Sequence, residues 1–199
     1  MCDERIFDSE EPLEDQVTVS LYPEILEHYK AGIALTDDEL DTIADLAVDI
    51  LKSILQCFGE TDCVIDEYEG DEGELILNVL GGDLAILIGR HGRVLDSLQM
   101  LVSSLLARKL AFRYPINVDI EGYKARRKEK VISIALSAAD RSLRYGKPQR
   151  LKPMTAYERR LVHMALADNP CVQTASSGIE PYRFVIVEPV DVEEAEADL

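Results

Sequence analysis

The order of hydrophobic periodicities between residues 36 and 122 limits the possible folds of this chain more strongly than any other feature. Thr36-Asp37-Asp38-Glu39 has the pattern of a capping box, in which the threonine and the glutamate each satisfy a free backbone N–H of the other. Apolar residues then recur every three or four positions as far as Phe58. This spacing predicts a long amphipathic helix.

Strand-like and helix-like patterns alternate after this helix. The turn-forming glycines and Tyr114-Pro115 separate these patterns from one another. The sequence predicts strands at 63–68, 74–80 and 116–120, and helices at 84–88 and 95–106. The resulting order is helix, strand, strand, helix, helix, strand.

A second group of elements is predicted after residue 122. A helix from Lys124 to Tyr145 comes first, and Thr155-Ala156-Tyr157-Glu158 is a second capping box that begins another helix. Strands at 171–175 and 182–188 complete the group. The residues expected on the buried face of the first of these helices are Ile132, Ala135, Leu136, Ala139 and Leu143.

These patterns predict an α+β protein with two small domains. We place the domains at 36–122 and 123–189. Residues 1–35 are expected to form an acidic, mostly disordered segment with a possible short helix at 23–29. Residues 190–199 are expected to form an acidic tail.

Charge is distributed unevenly along the chain. The net charge of −17 at pH 7 would, as an average, repel a polyanion. However, residues 1–88 contain 24 acidic and three basic residues, whereas residues 89–188 contain nine acidic and 18 basic residues. A basic region with acidic flanks is typical of nucleic-acid binding. Differently solvated faces in the two halves would produce the same asymmetry.

Several other classes of protein are not expected. No apolar run reaches 18 residues and the first residues are acidic, so neither a membrane span nor a secretory signal is predicted. The four cysteines form no C-x-x-C pair, which favours free thiols in the cytoplasm over a zinc site, and no cofactor is expected. We find no phosphate-binding loop, metal-ligand cluster or serine elbow, so an enzyme is not predicted.

Gly89-Arg90-His91-Gly92 lies between two predicted helices and has the properties of a backbone-binding loop. Two glycines let a sugar-phosphate chain approach closely, and the start of the following helix presents free N–H groups to a phosphate. Arg90 and Arg93 add positive charge, and Arg90 and His91 are expected to be exposed. Residues 84–88 and the helix face that bears Leu95 are expected to line an apolar groove for bases. A tight helix–helix turn would explain the glycines equally well.

A second candidate surface lies on the helix after Thr155. Arg159 and His163 are four positions apart, which separates them by about 40° around a helix, and Arg160 lies on the same side. The apolar stripe of Leu161, Val162, Ala165 and Leu166 is expected to face the core. An ordinary solvated surface would have the same pattern.

Basic residues also crowd the predicted start of the helix at 124. Cations there oppose the helix dipole at a cost of about 0.3–1 kcal/mol each, and a phosphate ligand would reverse that cost. This favours a role in binding; local neutralisation of the cluster by Glu121 and Glu129 is the alternative. The residues concerned are Lys124, Arg126, Arg127, Lys128 and Lys130.

Two sequence stretches resemble a known family. Leu87-Ile88-Gly89-Arg90-His91-Gly92, followed by Leu95-Asp96-Ser97-Leu98-Gln99, is similar to the KH domain of the bacterial Jag family, also called KhpB. The element order is that of a type II KH fold. Tyr157-Glu158-Arg159-Arg160-Leu161-Val162-His163 and Tyr182-Arg183-Phe184-Val185-Ile186 resemble the R-3-H domain of the same family.

The resemblance implies a type II KH domain followed by a small R-3-H α/β domain that bind single-stranded RNA. By resemblance, the loop Gly89, Arg90, His91 and Gly92 clamps the nucleic-acid backbone, and Arg159, His163 and Arg183 belong to the second surface. Many members of the family carry a separate folded N-terminal domain, where this chain has an acidic segment.

The same resemblance implies a post-transcriptional regulator linked to bacterial cell elongation and envelope control. A small single-KH protein is a possible partner, and a homodimer or heterodimer is possible. The alternative is an adaptor that regulates elongation or envelope synthesis through protein contacts, with RNA binding secondary. The residues do not decide between the two.

Overall fold

The first half of the molecule contains the predicted order of helices and strands, preceded by one further helix. The computed structural model describes residues 20–71, 73–82 and 84–190. The helices are α1 (Pro23–Ala31), α2 (Asp37–Cys57), α3 (Ala85–Ile88) and α4 (Arg93–Leu110), and the strands are β1 (Val64–Glu69), β2 (Leu75–Leu80) and β3 (Ile116–Ile120). The capping box at Thr36 is present and begins α2, as predicted.

These three strands form one sheet in the order β1-β2-β3. β1 is antiparallel to β2, whereas β3 is parallel to β2 because α3 and α4 form the crossover between them. Leu77 lies opposite Val118 and Val79 opposite Ile120, and all four side chains are fully buried. They share one hydrophobic core with the apolar faces of α2 and α4.

Residues 20–35 differ from the expectation of a mostly disordered segment. The possible helix at 23–29 is present as α1, and its Ile25 is buried in the core. The Leu21 N–H donates to the carbonyl of Lys109 at 3.2 Å, and Ser20 Oγ donates to the carbonyl of Leu110 at 2.9 Å. The expectation of disorder is therefore wrong for residues 20–35, and for residues 1–19 it lies outside the described residues.

The second half forms a smaller helix-on-sheet unit. Its elements are α5 (Tyr123–Tyr145), β4 (Gln149–Arg150), α6 (Ala156–Leu166), β5 (Val172–Ser177) and β6 (Phe184–Pro189). The strands are antiparallel in the order β4-β6-β5, and α5 and α6 share a core with them. The capping box at Thr155 is present. The short strand β4 was not predicted, and the acidic tail from residue 191 lies outside the described residues.

The buried face of α5 is rotated relative to the prediction. Leu136 and Leu143 are 50% and 44% exposed, and Ile132 is half-buried. Ala135 and Ala139 are buried as predicted, together with Val131, Ala138 and Ser142. Ser142 explains the rotation in part, because its hydroxyl donates to the carbonyl of Val187 at 3.2 Å and so brings α5 close to β6. On α4, Leu101 is likewise exposed.

Three further findings concern the described residues only. None of the helices in residues 20–71, 73–82 and 84–190 is long and apolar enough to cross a membrane. Within the same residues, no group of three or more His, Cys, Asp or Glu side chains is arranged so that it could hold a metal ion. Cys57, Cys63 and Cys171 are free thiols.

Candidate nucleic-acid interface

The glycine loop, Gly89-Arg90-His91-Gly92, is a tight turn between α3 and α4. Gly89 has φ 66° and ψ −168°, a conformation almost confined to glycine, and an added Cβ would overlap Val94 Cγ2. Gly92 has φ 78°, and a Cβ there would lie 2.9 Å from Tyr123 Cε1. His91, between them, also has a positive φ of 60°. Both glycines are therefore needed for the turn itself, whatever the loop binds.

The cations of this loop are exposed, but its apolar neighbours are largely not. Arg90 and Arg93 are exposed, and Arg93 Nη2 donates to the Pro181 carbonyl at 3.4 Å. Leu84, Leu87 and Leu95 are at most 5% exposed, because they belong to the domain core. The predicted apolar groove is therefore wrong for Leu84 and Leu87, whereas Leu95 borders the cleft between the two halves of the molecule. Ile86, at 62% exposed, is the apolar side chain of this stretch that faces solvent.

His91 is half-buried and takes part in a link between the two halves of the molecule. Arg127 Nη2 on α5 donates to His91 Nδ1, and Arg127 Nε donates to Glu158 Oε1 on α6 at 2.7 Å. Glu158, whose side chain is only 5% exposed, also accepts the Thr155 N–H on Oε2 at 3.0 Å. Burial, followed by the charge of Arg127, lowers the pKa of His91, so the neutral ring that accepts this bond is favoured. The expectation of an exposed His91 is wrong.

The basic cluster at the start of α5 is largely used for structure. Lys124 Nζ donates to Gln99 Oε1 and Asn117 Oδ1, and burial lowers the pKa of Lys124 although Asp119 and Asp96 oppose that shift. Arg126 donates to the backbone carbonyl of Glu121.

The structure changes the expected pairing of this cluster. Arg126 donates to the backbone carbonyl of Glu121 and not to its carboxylate. The carboxylate that pairs with Arg127 is that of Glu158. Lys128 and Lys130 are exposed, and neither forms an ion pair within the described part of the chain. These two lysines are the members of the cluster that are free to meet a ligand.

Arg159 and His163 are not the exposed pair that their spacing suggested. Arg159 is only 8% exposed, and its Nη2 lies 2.5 Å from Glu180 Oε1. The buried face of α6 extends back to Glu158 and Arg159, so the Arg159 guanidinium points toward the loop between β5 and β6. The expectation of an open Arg159 is therefore wrong.

The neighbours of Arg159 are also partly engaged. His163 is half-buried and hydrogen-bonds with Thr174 Oγ1 at 2.6 Å and Ser176 Oγ at 3.0 Å. Within the described residues, Nε of Arg159 and Nε of Arg183 are buried and have no hydrogen-bond acceptor. Arg160 remains exposed. This region thus has unused N–H donors beneath a surface carboxylate.

A cleft of about 410 Å³ lies between the two halves of the molecule. It is bordered by the glycine loop, α4, α5 and α6, and it brings together five of the predicted binding residues: His91, Gly92, Lys124, Arg127 and Lys128. Arg159, His163 and Arg183 do not line it. The structure therefore separates the predicted residues into two groups: those of the interdomain cleft, and those of a second surface that contains Arg159, His163 and Arg183. The second surface is called the R-3-H surface below.

The cleft also contains residues that sequence reasoning missed. Asp96 and Gln99 line it from α4, and Tyr123 and Tyr157 line it from α5 and α6. Asp96 and Gln99 are three residues apart on a predicted helix, which places them on one face, but no local pattern indicates that a second domain covers that face. Burial raises the pKa of Asp96, with Lys124 opposing the shift.

Comparison with known proteins agrees with this two-part architecture. Residues 44–120 match the family model for the KH domain of KhpA/KhpB, and residues 129–189 match that of the R-3-H domain. The molecule is therefore a protein that joins a KH domain to an R-3-H domain. We propose 36–122 and 123–189 as the limits of the two domains.

Proteins with similar sequences show the family to which the chain belongs. The chain is 36% identical over 147 residues to the RNA-binding protein KhpB of Clostridium symbiosum, covering 74% of this chain and 66% of that protein. It is 29% identical over 161 residues to the protein of the same name from Bacillus subtilis, covering 79% and 76%. A third, from Lactiplantibacillus plantarum, is 36% identical over 102 residues, which are 51% of this chain and 32% of the relative. The chain belongs to the KhpB (Jag) family, and it spans slightly less than two thirds of the first relative and about a third of the last.

Proposed function

We propose that this chain binds single-stranded RNA, with the glycine loop and the adjoining interdomain cleft as the main contact surface. The observation that carries this proposal is the exposure of Arg90 and Arg93 on a turn that reaches, through His91 and Gly92, into the cleft. Lys128 lies on the same cleft. The relatives described above carry the name RNA-binding protein, which supports the same ligand.

The geometry of the loop suits a phosphate better than it suits a base. Gly92 is the N-cap of α4, so the partial positive charge of the helix start lies beside Arg93. Arg90 provides a second charge on the outer side of the turn. Because Leu84 and Leu87 are buried in the domain core, bases are expected to stack in the cleft, near the exposed Tyr157.

The R-3-H surface forms a second contact in this proposal. The Glu180 side chain is 53% exposed, whereas the side chain of its partner Arg159 is only 10% exposed. A phosphate could replace this surface carboxylate without exposing Arg159, and it would also be near the unused Nε donors of Arg159 and Arg183. Arg160 and His163 lie on the same helix and would flank the bound backbone.

The binding experiment uses charge reversal at an exposed arginine of the glycine loop and a matched control at the far end of α4. Arg90→Glu should weaken the affinity for a single-stranded RNA, measured by fluorescence anisotropy, by about tenfold or more. Arg108→Glu is the control, because Arg108 is exposed on α4 and lies about 22 Å along the helix from Arg93. Equal losses for the two variants would contradict a specific loop contact.

Salt dependence provides a second measure of the same contact. Four exposed cations, Arg90, Arg93, Lys128 and Arg160, would give a slope of about −2.8 for log K against log salt concentration on a single strand. A flat salt response would show that phosphates are not contacted.

In the cell we propose a non-catalytic, cytoplasmic role as a post-transcriptional regulator of cell elongation and envelope synthesis. This cellular role is supported by family membership and not by the geometry of the site. Its test is therefore an experiment in cells. Crosslinking and sequencing should recover RNA attached to residues 89–188, with transcripts for envelope and elongation proteins enriched. Recovery of protein partners without RNA would favour the adaptor function instead.

One observation favours a protein partner in addition to RNA. A groove of about 1060 Å³ lies between α2 and α4 and carries the exposed apolar side chains of Leu21, Phe58 and Leu101. We propose that a small single-KH protein docks there to form a heterodimer; association of the purified chain with itself would show a homodimer instead. Leu101→Asp should abolish co-elution with the single-KH protein in size-exclusion chromatography. Leu136→Asp, at a similarly exposed leucine on α5, should leave that co-elution unchanged. Loss in both variants would indicate a general effect on solubility.

A further inference from the structure

The interdomain cleft contains hydrogen-bonding groups that charge attraction to RNA does not explain. A carboxylate repels phosphates, yet Asp96 lines the cleft from the first turn of α4. Within the described part of the chain, the Asp96 carboxylate takes part in no hydrogen bond and no ion pair, since the nearby Lys124 Nζ donates to Gln99 and Asn117 instead. The carboxylate is thus an available acceptor inside a nucleic-acid site.

Gln99 places a donor one helical turn from this acceptor. Its Oε1 accepts from both Lys124 Nζ and the Val118 backbone N–H, which fixes the orientation of the amide. The Gln99 NH₂ group is therefore left as the free end, and within the described residues it donates to no protein acceptor. Because the two residues are three positions apart on α4, Asp96 and Gln99 present two acceptor oxygens beside one donor on the same face.

The remainder of the cleft suits a flat ring. Leu95, Val131 and Leu161 contribute apolar surface and are at most 9% exposed. Tyr157, which is 63% exposed, and the half-buried Tyr123 provide aromatic rings on which a base can stack. Lys128 lies on the same cleft and is free for the phosphate of the bound nucleotide.

We propose, as an extension of the RNA-binding function above, that this cleft binds one unpaired guanine and that Asp96 and Gln99 recognise its Watson–Crick edge. Guanine presents adjacent N1–H and N2–H donors next to the O6 acceptor, which complements two carboxylate oxygens and one amide N–H. Uracil offers a single N–H donor, and adenine and cytosine each offer one amino group next to an acceptor. Asp96 is then a specificity-determining residue, and the KH and R-3-H domains cooperate in reading one base.

The test compares three nine-nucleotide RNAs on the full chain by fluorescence anisotropy: nine uridines, the same with guanosine in the centre, and the same with inosine, which lacks the N2 amino group. The unmodified protein should prefer the guanosine RNA over the uridine RNA by about tenfold, which is within the discrimination that a two-hydrogen-bond contact to a base edge provides. Inosine should fall between the two.

Asp96→Asn separates base recognition from simple charge. Removing the negative charge should raise the affinity for the all-uridine RNA, because a repulsion is lost, while the preference for guanosine falls from about tenfold to about twofold or less. Asp140→Asn is the matched control, since Asp140 is exposed on α5 and does not line the cleft. That variant should keep the preference of the unmodified protein.

The outcomes separate this inference from the function on which it rests. Binding of all three RNAs with equal affinity, or an unchanged preference in Asp96→Asn, would overturn the guanine site while leaving RNA binding intact. Failure of the unmodified protein to bind any of the three would overturn the proposed function and this inference with it.

Discussion

The ion pair between Arg127 and Glu158 should couple α5 to α6 by about 2 kcal/mol. The two charged groups form a hydrogen bond of 2.7 Å, and their side chains are 24% and 5% exposed, so solvent screens the pair only weakly. A hydrogen bond involving charged groups contributes about 1.5–3 kcal/mol. Arg127 is neither fully buried nor fully exposed, which places the expected value near the middle of that range.

A double-mutant cycle measures this coupling directly. Arg127→Met removes the donor and keeps the aliphatic length, and Glu158→Gln removes the charge while its amide oxygen can still accept the Thr155 N–H that caps α6. The free energies of unfolding in urea for the unmodified chain, both single variants and the double variant give the coupling energy. Circular dichroism and tyrosine fluorescence should give the same transitions, which checks that the unfolding of this part of the chain is cooperative.

The adjacent Arg126 provides the control for the cycle. Arg126 is exposed and donates to the backbone carbonyl of Glu121, so Arg126→Met combined with Glu158→Gln should be additive within about 0.5 kcal/mol. A coupling below about 0.5 kcal/mol for Arg127 and Glu158, no larger than that of the control, would refute the assignment of Arg127 as the residue that joins the two helices.

Two further predictions concern the glycine loop. Burial and the charge of Arg127 lower the pKa of His91 below its usual 6.5, so the unfolded chain binds the proton more readily than the folded chain. This contribution to stability is complete above pH 6.5 and is lost as the pH falls below 6.5 and through the lower pKa of the folded state. The urea midpoint should therefore fall further between about pH 8 and about pH 5.5 in the unmodified chain than in His91→Asn, and parallel curves would contradict it. Gly89→Ala should lower the free energy of unfolding by about 3 kcal/mol or more, because φ is 66° and the added Cβ overlaps Val94. Gly146→Ala, with φ 60° and open space around it, should cost about 1–2 kcal/mol, and equal costs for the two variants would show that the overlap is relieved.

Sequence patterns predicted the elements of the fold well where capping and strict alternation define them. The capping boxes at Thr36 and Thr155 set the starts of α2 and α6, and the alternation of Ile116, Val118 and Ile120 set β3. Periodicity failed where two faces of a helix are both apolar. On α5, Ala138 is buried and Leu136 is exposed. Which of the two faces the core depends on how closely the helix approaches β6, and no local sequence pattern indicates that distance.

The sequence assigned candidate residues to helices that the structure contains, but it did not indicate which of their side chains are exposed. The spacing of Arg159 and His163 correctly places them on α6, yet whether Arg159 is free depends on Glu180, 21 residues later in the chain. In the same way, the role of Arg127 depends on His91 and Glu158, which are 36 and 31 residues away. Pairings at such distances follow from the tertiary arrangement, and a basic residue in the sequence therefore indicates charge without indicating its exposure.

The pairing of basic residues within the protein also limits how RNA can be bound. Lys124, Arg127 and Arg159 each donate to a neighbour within the protein, so the exposed cations that remain near the two candidate surfaces are few, and they belong to a chain whose net charge is −17. Long-range attraction to phosphates is then weak, and repulsion by the acidic surface disfavours binding of arbitrary polyanions. In the proposed mode of binding, the exposed cations supply phosphate contacts of limited number, and the contacts of Asp96 and Gln99 with one unpaired base add affinity that an arbitrary polyanion does not gain.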